Sequence, residues 1–240
     1  MPTLSFHQLS KQYGSVTVLD RFTATALPGR VTAFLGVNGA GKTTSMRIML
    51  GLSEPTSGSA TIDGIRYGDL QHPTRVVGAV LDQGFHPTRS AHNHLRLTAR
   101  QAGVPANTAD SLLERFGLAA AAGRRIGGFS LGMRQRLALA SALVGDPSVL
   151  ILDEPLNGLD PDGIRDMRHF LRSFADAGGT VFLSSHLLTE VAAVADDLVV
   201  IHGGALAAAG PVDALVTTDT DLESVFHTLI HPTDTQEVWS

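Results

Sequence analysis

The chain of 240 residues contains no cysteine, which excludes a disulfide framework and fits a reducing compartment. No run of five Lys or Arg residues occurs, and 23 acids against 18 bases leave a net charge of -5. The chain therefore presents no global basic field, and nucleic acid is not expected as a partner. Long apolar runs are missing too: the best, "LALASALV" at 137–144, is far short of the roughly 18 residues that a membrane-crossing helix needs. The amino terminus, "MPTLSFHQLSKQYG", lacks the basic-then-apolar order of a signal peptide. These absences predict a cytoplasmic chain that borrows any membrane role from a partner. Internal repeats, low-complexity linkers and heptads are absent as well.

What is present is ample core material. Hydrophobic residues make up 43% and charged residues 17%, so composition gives no case for disorder. Short β-type runs at 31–35, 76–81, 149–152, 180–183 and 198–201 are bounded by turn residues, whereas 88–146 has a helical texture. Strands separated by helical patterns predict a parallel α/β sheet with 88–146 as an inserted helical lobe. Another helical pattern covers 221–230, and the tail 231–240 is expected to fray.

The stretch "GVNGAGKTT" at 36–44 satisfies G-x-x-x-x-G-K-[ST] through Gly36, Gly41, Lys42 and Thr43. It lies between an expected strand and an expected helix, the context this phosphate-binding motif requires. Glycines let the backbone curl so that successive N–H groups face β- and γ-phosphates. The helix dipole adds to the attraction, Lys42 neutralises charge, and the Thr43 hydroxyl suits Mg²⁺. Farther on, "VLILDEP" at 149–155 is a buried-strand run ending in two carboxylates. Successive strand residues alternate faces, so Asp153 and Glu154 can hold different jobs. Asp153 suits Mg²⁺, directly or through water, and Glu154 suits orienting or deprotonating an attacking water. His186, in "SSHLL", adds a polar group at the same C-terminal edge of the sheet.

A second helix start stands at "FSLGMRQRLALASAL", 129–143. Ser130 can cap it, and Met133, Leu137, Ala140 and Val144 recur as one buried stripe. Arg134 and Arg136 occupy its first turns, where the macrodipole disfavours cations, which predicts that an anion arrives from outside. No Lys, metal ligand or base accompanies this start in sequence, so it reads as half a site.

With these motifs in this order, the chain resembles the nucleotide-binding subunit of ATP-binding cassette (ABC) transporters, from about Leu4 to Leu229. The resemblance implies an α/β P-loop NTPase (RecA-like) fold with a mixed sheet core, an inserted helical subdomain and an N-terminal antiparallel β portion. Residues 1–87 and 147–230 would form the nucleotide-binding core and 88–146 the helical signature subdomain. It implies ATP and Mg²⁺ as cofactors, with nucleotide contacts from Asn38, Gly39, Ala40, Gly41, Lys42, Thr43 and Thr44. Tyr13 would stack on adenine, and His186 would be the switch histidine at the γ-phosphate. "FSLGM" would be the signature, with Ser130, Leu131, Gly132 and Met133 capping ATP held by the opposite chain. "NGLD" at 157–160 would be the D-loop, ending in Asp160. The implied partners are a second cassette, identical or paired, in the ATP-bound state and a separate integral-membrane subunit, which places the chain on the cytoplasmic face of the cell membrane.

The sequence also departs from the family pattern. The commonest signature reads Leu-Ser-Gly-Gly-Gln; here Leu131 replaces one glycine and Met133 the glutamine. "SLGMRQR" resembles the branch that includes bacterial drug and antimicrobial-peptide exporters, which implies export. Four residues beyond Gly78, where relatives place the Q-loop glutamine, stands Asp82, with Gln83 next to it. Either Asp82 faces metal and water, or the loop shifts by one and Gln83 does; both belong to the candidate catalytic set. "FHPTRSAHNHL" at 85–95 carries His86, His92 and His94. His-x-His on a helix diverges by about 200°, so a solvated surface is expected there rather than a metal site. In relatives this region, 84–100 here, receives a coupling helix from the membrane subunit. Two other classes fit less well. A soluble ABC ATPase acting on the ribosome or DNA usually carries two cassettes or a long coiled coil, and a phosphotransferase would leave the signature helix unexplained.

Overall fold

The computed structural model describes residues 1–81, 84–216 and 222–230. Asp82 and Gln83, the two Q-loop candidates, lie outside the described residues, as does the tail 231–240. The chain runs β1 (Leu4–Tyr13), β2 (Val16–Ala26), β3 (Val31–Leu35), α1 (Lys42–Met49), β4 (Ser57–Ile62), α2 (Pro73–Val76) and β5 (Val77–Val80). The helices α3 (Ala91–Ala102), α4 (Thr108–Arg115) and α5 (Leu131–Ala142) follow. Then come β6 (Val149–Leu152), α6 (Pro161–Asp176), β7 (Thr180–Ser184), α7 (Leu188–Ala192), β8 (Asp197–His202), β9 (Ala205–Pro211), α8 (Val212–Leu215) and α9 (Leu222–Ile230).

Six strands form a mixed sheet in the order β5-β6-β7-β3-β8-β9, parallel except for β9, which runs antiparallel to β8. A second, antiparallel sheet has the order β2-β1-β4. This is the expected α/β architecture. The central strands are apolar on both faces because both are covered, as parallel sheets require. On β6, Leu150 and Leu152 join the cluster on the helical side, while Val149 and Ile151 join the cluster facing the antiparallel sheet. On β7, Val181 and Leu183 face one way and Phe182 the other. Phe6, Phe22, Phe34 and Phe182 close a ring of aromatic contacts between the two sheets, with neighbouring centroids 5.1–5.6 Å apart.

The helical stretch enters between β5 and β6, which are neighbours in the sheet. Its Ala91, Leu95, Leu112 and Leu113 share one apolar cluster with Val80, Leu150 and Leu152 of the strands. Ser90 caps α3 by accepting the Asn93 N–H at 3.2 Å, and Gly103, with φ 65°, ends it. Helix α5 departs from the expected single stripe. Gln135 and the consecutive Leu137, Ala138, Leu139 and Ala140 are all buried, because β5, α3 and α4 pack around it, and Val144 lies beyond its end. The histidines of 85–95 each find a different partner. His86 Nδ1 lies 3.0 Å from Thr88 Oγ1, His92 Nε2 lies 3.1 Å from Asp110 Oδ1, and His94 Nε2 lies 3.1 Å from Ser141 Oγ. The expected solvated face fails at His94, which sits edge-on to Phe85; burial, with Arg89 nearby, pushes its pKa down.

At the N-terminal edge of the sheet, Asp196 accepts from the Val31 N–H and from Arg172 Nη1, both at 2.8 Å, which ties α6 to β3. Among the described residues, one buried side-chain polar atom lacks a hydrogen-bond partner: Thr32 Oγ1 on β3. Thr32→Val keeps the shape and removes the orphaned hydroxyl. It should stabilise the chain by about 1 kcal/mol and raise Tm by roughly 2 °C in a thermal melt.

Candidate functional site

The loop after β3 turns sharply enough that only glycine fits at two places. A Cβ on Gly36 would lie 2.6 Å from the Ile201 carbonyl oxygen, and Gly41, with φ 109°, lies against Val18 O and Leu19. Gly41 leads directly into α1, so the loop delivers Lys42 and Thr43 at the helix start. Lys42 Nζ donates to Gly36 O at 2.6 Å and to Val37 O at 3.3 Å. Burial pushes this ammonium below the usual lysine range, while Glu154 and Asp153 pull it back up. Asn38 and Gly39 are exposed on the loop, Thr44 is half-buried, and Ala40 is buried with its N–H on Val37 O at 3.1 Å.

Two carboxylates reach this loop from β6. The Asp153 N–H donates to Val80 O at 2.7 Å, which continues the ladder one step past the strand. Its Oδ2 accepts the Thr43 hydroxyl at 2.6 Å, and its Oδ1 accepts the Ser184 hydroxyl. Glu154 turns away with φ 50°, a left-handed conformation disfavoured for a residue bearing a Cβ. The turn is held at both ends: the Glu154 N–H donates to Ser184 Oγ at 2.9 Å, and Glu154 Oε2 meets His186 Nδ1 at 2.8 Å and the His186 N–H at 3.3 Å. Asp153 and Glu154 thus face different side-chain partners, but through the left-handed turn at Glu154 rather than through strand alternation, since β6 ends at Leu152. A cavity of about 460 Å³ opens here, bounded by Gly36, Asn38, Glu154, Asn157 and His186.

The structure therefore brings together the loop, Thr43, Asp153, Glu154 and His186. It does not bring Ser130, Leu131, Gly132 or Met133 to them. Ser130 caps α5 by accepting the Met133 N–H at 3.2 Å, Met133 packs against the apolar cluster, and Leu131 is exposed. Ser130, Leu131 and Gly132 line a separate cavity of about 840 Å³ with Arg136 and Asp160, and it shares no lining residue with the first. Arg136 Nη1 donates to Phe116 O at 3.3 Å, and Asp160 caps α6 through the Gly163 N–H at 2.8 Å. Tyr13 lies outside both cavities at the end of β1, half-exposed. Its hydroxyl is 3.3 Å from Ser53 Oγ, and Lys11 Nζ is 4.7 Å from its ring centroid. Two partners were missed in the sequence. Ser184 was visible only as the first serine of "SSH", and nothing local to Gln135 signals that its Nε2 donates to Pro155 O at 2.9 Å.

A phosphate-binding loop at the end of one central parallel strand, facing two acids at the end of another, defines a P-loop nucleoside triphosphatase. Residues 19–157 match the family model described as ABC transporter, and the chain belongs to that family as an ATP-binding ATPase subunit. It is 41% identical over 211 residues to the bacitracin transport ATP-binding protein BcrA of Bacillus licheniformis, covering 86% of this chain and 69% of that one. It is 38% identical over 202 residues to the lantibiotic transport ATP-binding protein SrtF of Streptococcus pyogenes, covering 84% and 87%. A solved ATP-binding subunit of an ABC transporter superposes with a TM-score of 0.85 at 28% identity, covering 94% of this chain and 98% of that one.

Ser184 serves both acids through one hydroxyl, so Ser184→Ala leaves the Glu154 N–H without its acceptor and Asp153 with the Thr43 hydroxyl but no donor at Oδ1. ATP turnover should fall by roughly tenfold or more while the far-ultraviolet circular dichroism stays unchanged, and Ser184→Thr should recover part of the loss in a steady-state phosphate-release assay.

Proposed function

We propose that this chain is the cassette that binds and hydrolyses ATP to drive a separate membrane-spanning subunit in export of a drug, antibiotic or peptide. The observation that carries the reading is the convergence of Lys42, Thr43, Asp153, Glu154 and His186 at one sheet edge. The export direction rests on the relatives, which are named for bacitracin and lantibiotic transport. Those names favour transport over a soluble role at the ribosome or on DNA. No helix among the described residues is long and apolar enough to cross a membrane, so in this reading another subunit supplies the span and holds the chain at the cytoplasmic face. The receiving surface is 84–100, where Arg96, Leu97 and Arg100 are exposed on α3. Asp82 or Gln83 would link that surface to the site.

The oxygen donors Thr43 Oγ1 and Asp153 Oδ2, 2.6 Å apart, fit a hard cation such as Mg²⁺. Among the described residues no group of three or more His, Cys, Asp or Glu side chains could hold a metal ion, so phosphate and water oxygens would complete its shell. When bound, Mg²⁺ neutralises phosphate charge. Lys42 holds the β- and γ-phosphates, the loop N–H groups cradle them, and Tyr13 stacks on adenine. Glu154 orients the attacking water and accepts its proton, and His186 fixes the Glu154 carboxylate and reaches the γ-phosphate. The separateness of the two cavities supports a composite site. Ser130 and Gly132 serve the nucleotide of a second cassette, Asp160 lies at that interface, and ATP holds the pair together.

Two measurements test this. Glu154→Gln should retain Mg-ATP binding, lose at least about 100-fold in turnover and accumulate as an ATP-bound dimer on size exclusion; near-normal hydrolysis would remove Glu154 from the mechanism. Lys42→Ala and Gly132→Asp should each abolish ATP-dependent dimerisation, and mixing the two should restore it, because one composite site of the mixed dimer is then wholly wild type. No recovery despite demonstrated subunit exchange would refute the composite site.

A further inference from the structure

Leu131 stands where the commonest signature has glycine, and 41% of its surface is accessible. Its side chain nevertheless has a defined seat. A Cβ built on Gly158 would fall inside the van der Waals envelope of Leu131 Cδ2 and lie 3.3 Å from Leu131 Cγ. Gly158 has φ 70°, so the turn there presents a bare backbone surface to the leucine. The reverse contact exists as well: Leu159 Cδ2 lies 3.8 Å from the place of a Gly132 Cβ, an ordinary packing distance. The start of α5 and the turn before α6 thus each offer one leucine and one glycine, and the two pairs cross. All four residues line the same cavity as Ser130 and Asp160.

The turn is also continuous with the acids. The Asn157 N–H donates to Glu154 O at 3.2 Å and the Leu159 N–H to Leu156 O at 3.4 Å, so 154–159 closes on itself. Asp160 fixes its far end as the cap of α6. A shift at the start of α5 therefore reaches Glu154 through packed side chains and two backbone bonds. We propose that Leu131 is a positioning residue that locks the start of α5 to the 157–160 turn. This rests on the ATPase reading above, in which Ser130 attends the partner's nucleotide and Glu154 its own. The leucine then makes the halves of two different composite sites move as one body.

The test uses the full chain with Leu131→Ala, Leu131→Met and Gly158→Ala. Leu131→Ala, which removes the knob without adding a helix-breaking glycine, should lower kcat roughly fivefold to tenfold and should speed amide exchange at 157–160. Leu131→Met should restore kcat, because it refills the seat. Gly158→Ala should cost more in the wild-type background than beside Leu131→Ala, a non-additivity that a bystander leucine would not produce. If Gly158→Ala does not fold, the two Leu131 variants decide alone. A kcat within twofold of wild type for Leu131→Ala, with unchanged exchange, overturns the proposal and leaves the ATPase reading intact. A wild-type chain that fails to hydrolyse Mg-ATP overturns that reading instead, and exchange at 157–160 still decides whether the leucine locks the turn.

Discussion

Thr43 and Asp153 are 110 residues apart in the chain, yet the hydroxyl of one donates to the carboxylate of the other at 2.6 Å. Thr43 rides on the loop after β3 and Asp153 on the end of β6, and these strands are not neighbours: β7 lies between them. The gap is spanned by Ser184 at the end of β7, whose hydroxyl donates to Asp153 and accepts from the Glu154 N–H. The order β6-β7-β3 is held from one side by Phe182 and Phe34 in their aromatic ring and from the other by Leu150, Leu152, Val181 and Leu183. A site built this way needs three adjacent strand ends in register, and a sheet with buried faces fixes that register firmly.

The conformation of Glu154 shows the cost of that arrangement. A left-handed backbone at a residue with a Cβ costs on the order of 1–3 kcal/mol and persists only where surrounding bonds over-determine it. Here a serine hydroxyl holds the amide, and the ring and backbone nitrogens of His186 hold the carboxylate. The strain turns the carboxylate away from the Asp153–Thr43 pair, so that two adjacent acids avoid competing for one position.

Much of this was legible before the fold was. The loop 36–44, the two acids after a buried strand and the alternation of strand and helical patterns are local signals, and local signals survive in sequence. What was illegible depended on contacts between distant segments. Helix α5 reads as a one-sided helix because Met133, Leu137, Ala140 and Val144 fall at helical spacing, but three other elements surround it, and Ala138 and Leu139 are buried as well. His94 reads as surface because its neighbours are polar, yet Phe85 and Ser141 enclose it from outside its own helix. Ser184 is one serine among many until β7 is placed beside β6. Leu131 is visible as a departure from the common pattern, but its seat on Gly158 belongs to the tertiary structure.

The insertion of three helices between two neighbouring strands has a consequence during synthesis. Strands β5 and β6 pair directly, in register from Val77 with Val149 to Val80 with Leu152, and among the described residues β5 is the edge of the sheet, with β6 as its one partner. About 70 residues separate them in the chain, so a ribosome adding about 5–20 residues per second leaves β5 without a partner for roughly 4–14 s. Throughout that interval "VGAV" lacks its strand neighbour: Val77 belongs to the cluster that includes residues of β1–β4, already made, while Val80 belongs to the cluster on the other face. The helices made in the meantime carry Leu95, Leu112, Leu113 and Leu137 of the same apolar cluster that β5 joins through Val80. The inserted lobe thus also covers Val80 on the helical side of the sheet before β6 arrives.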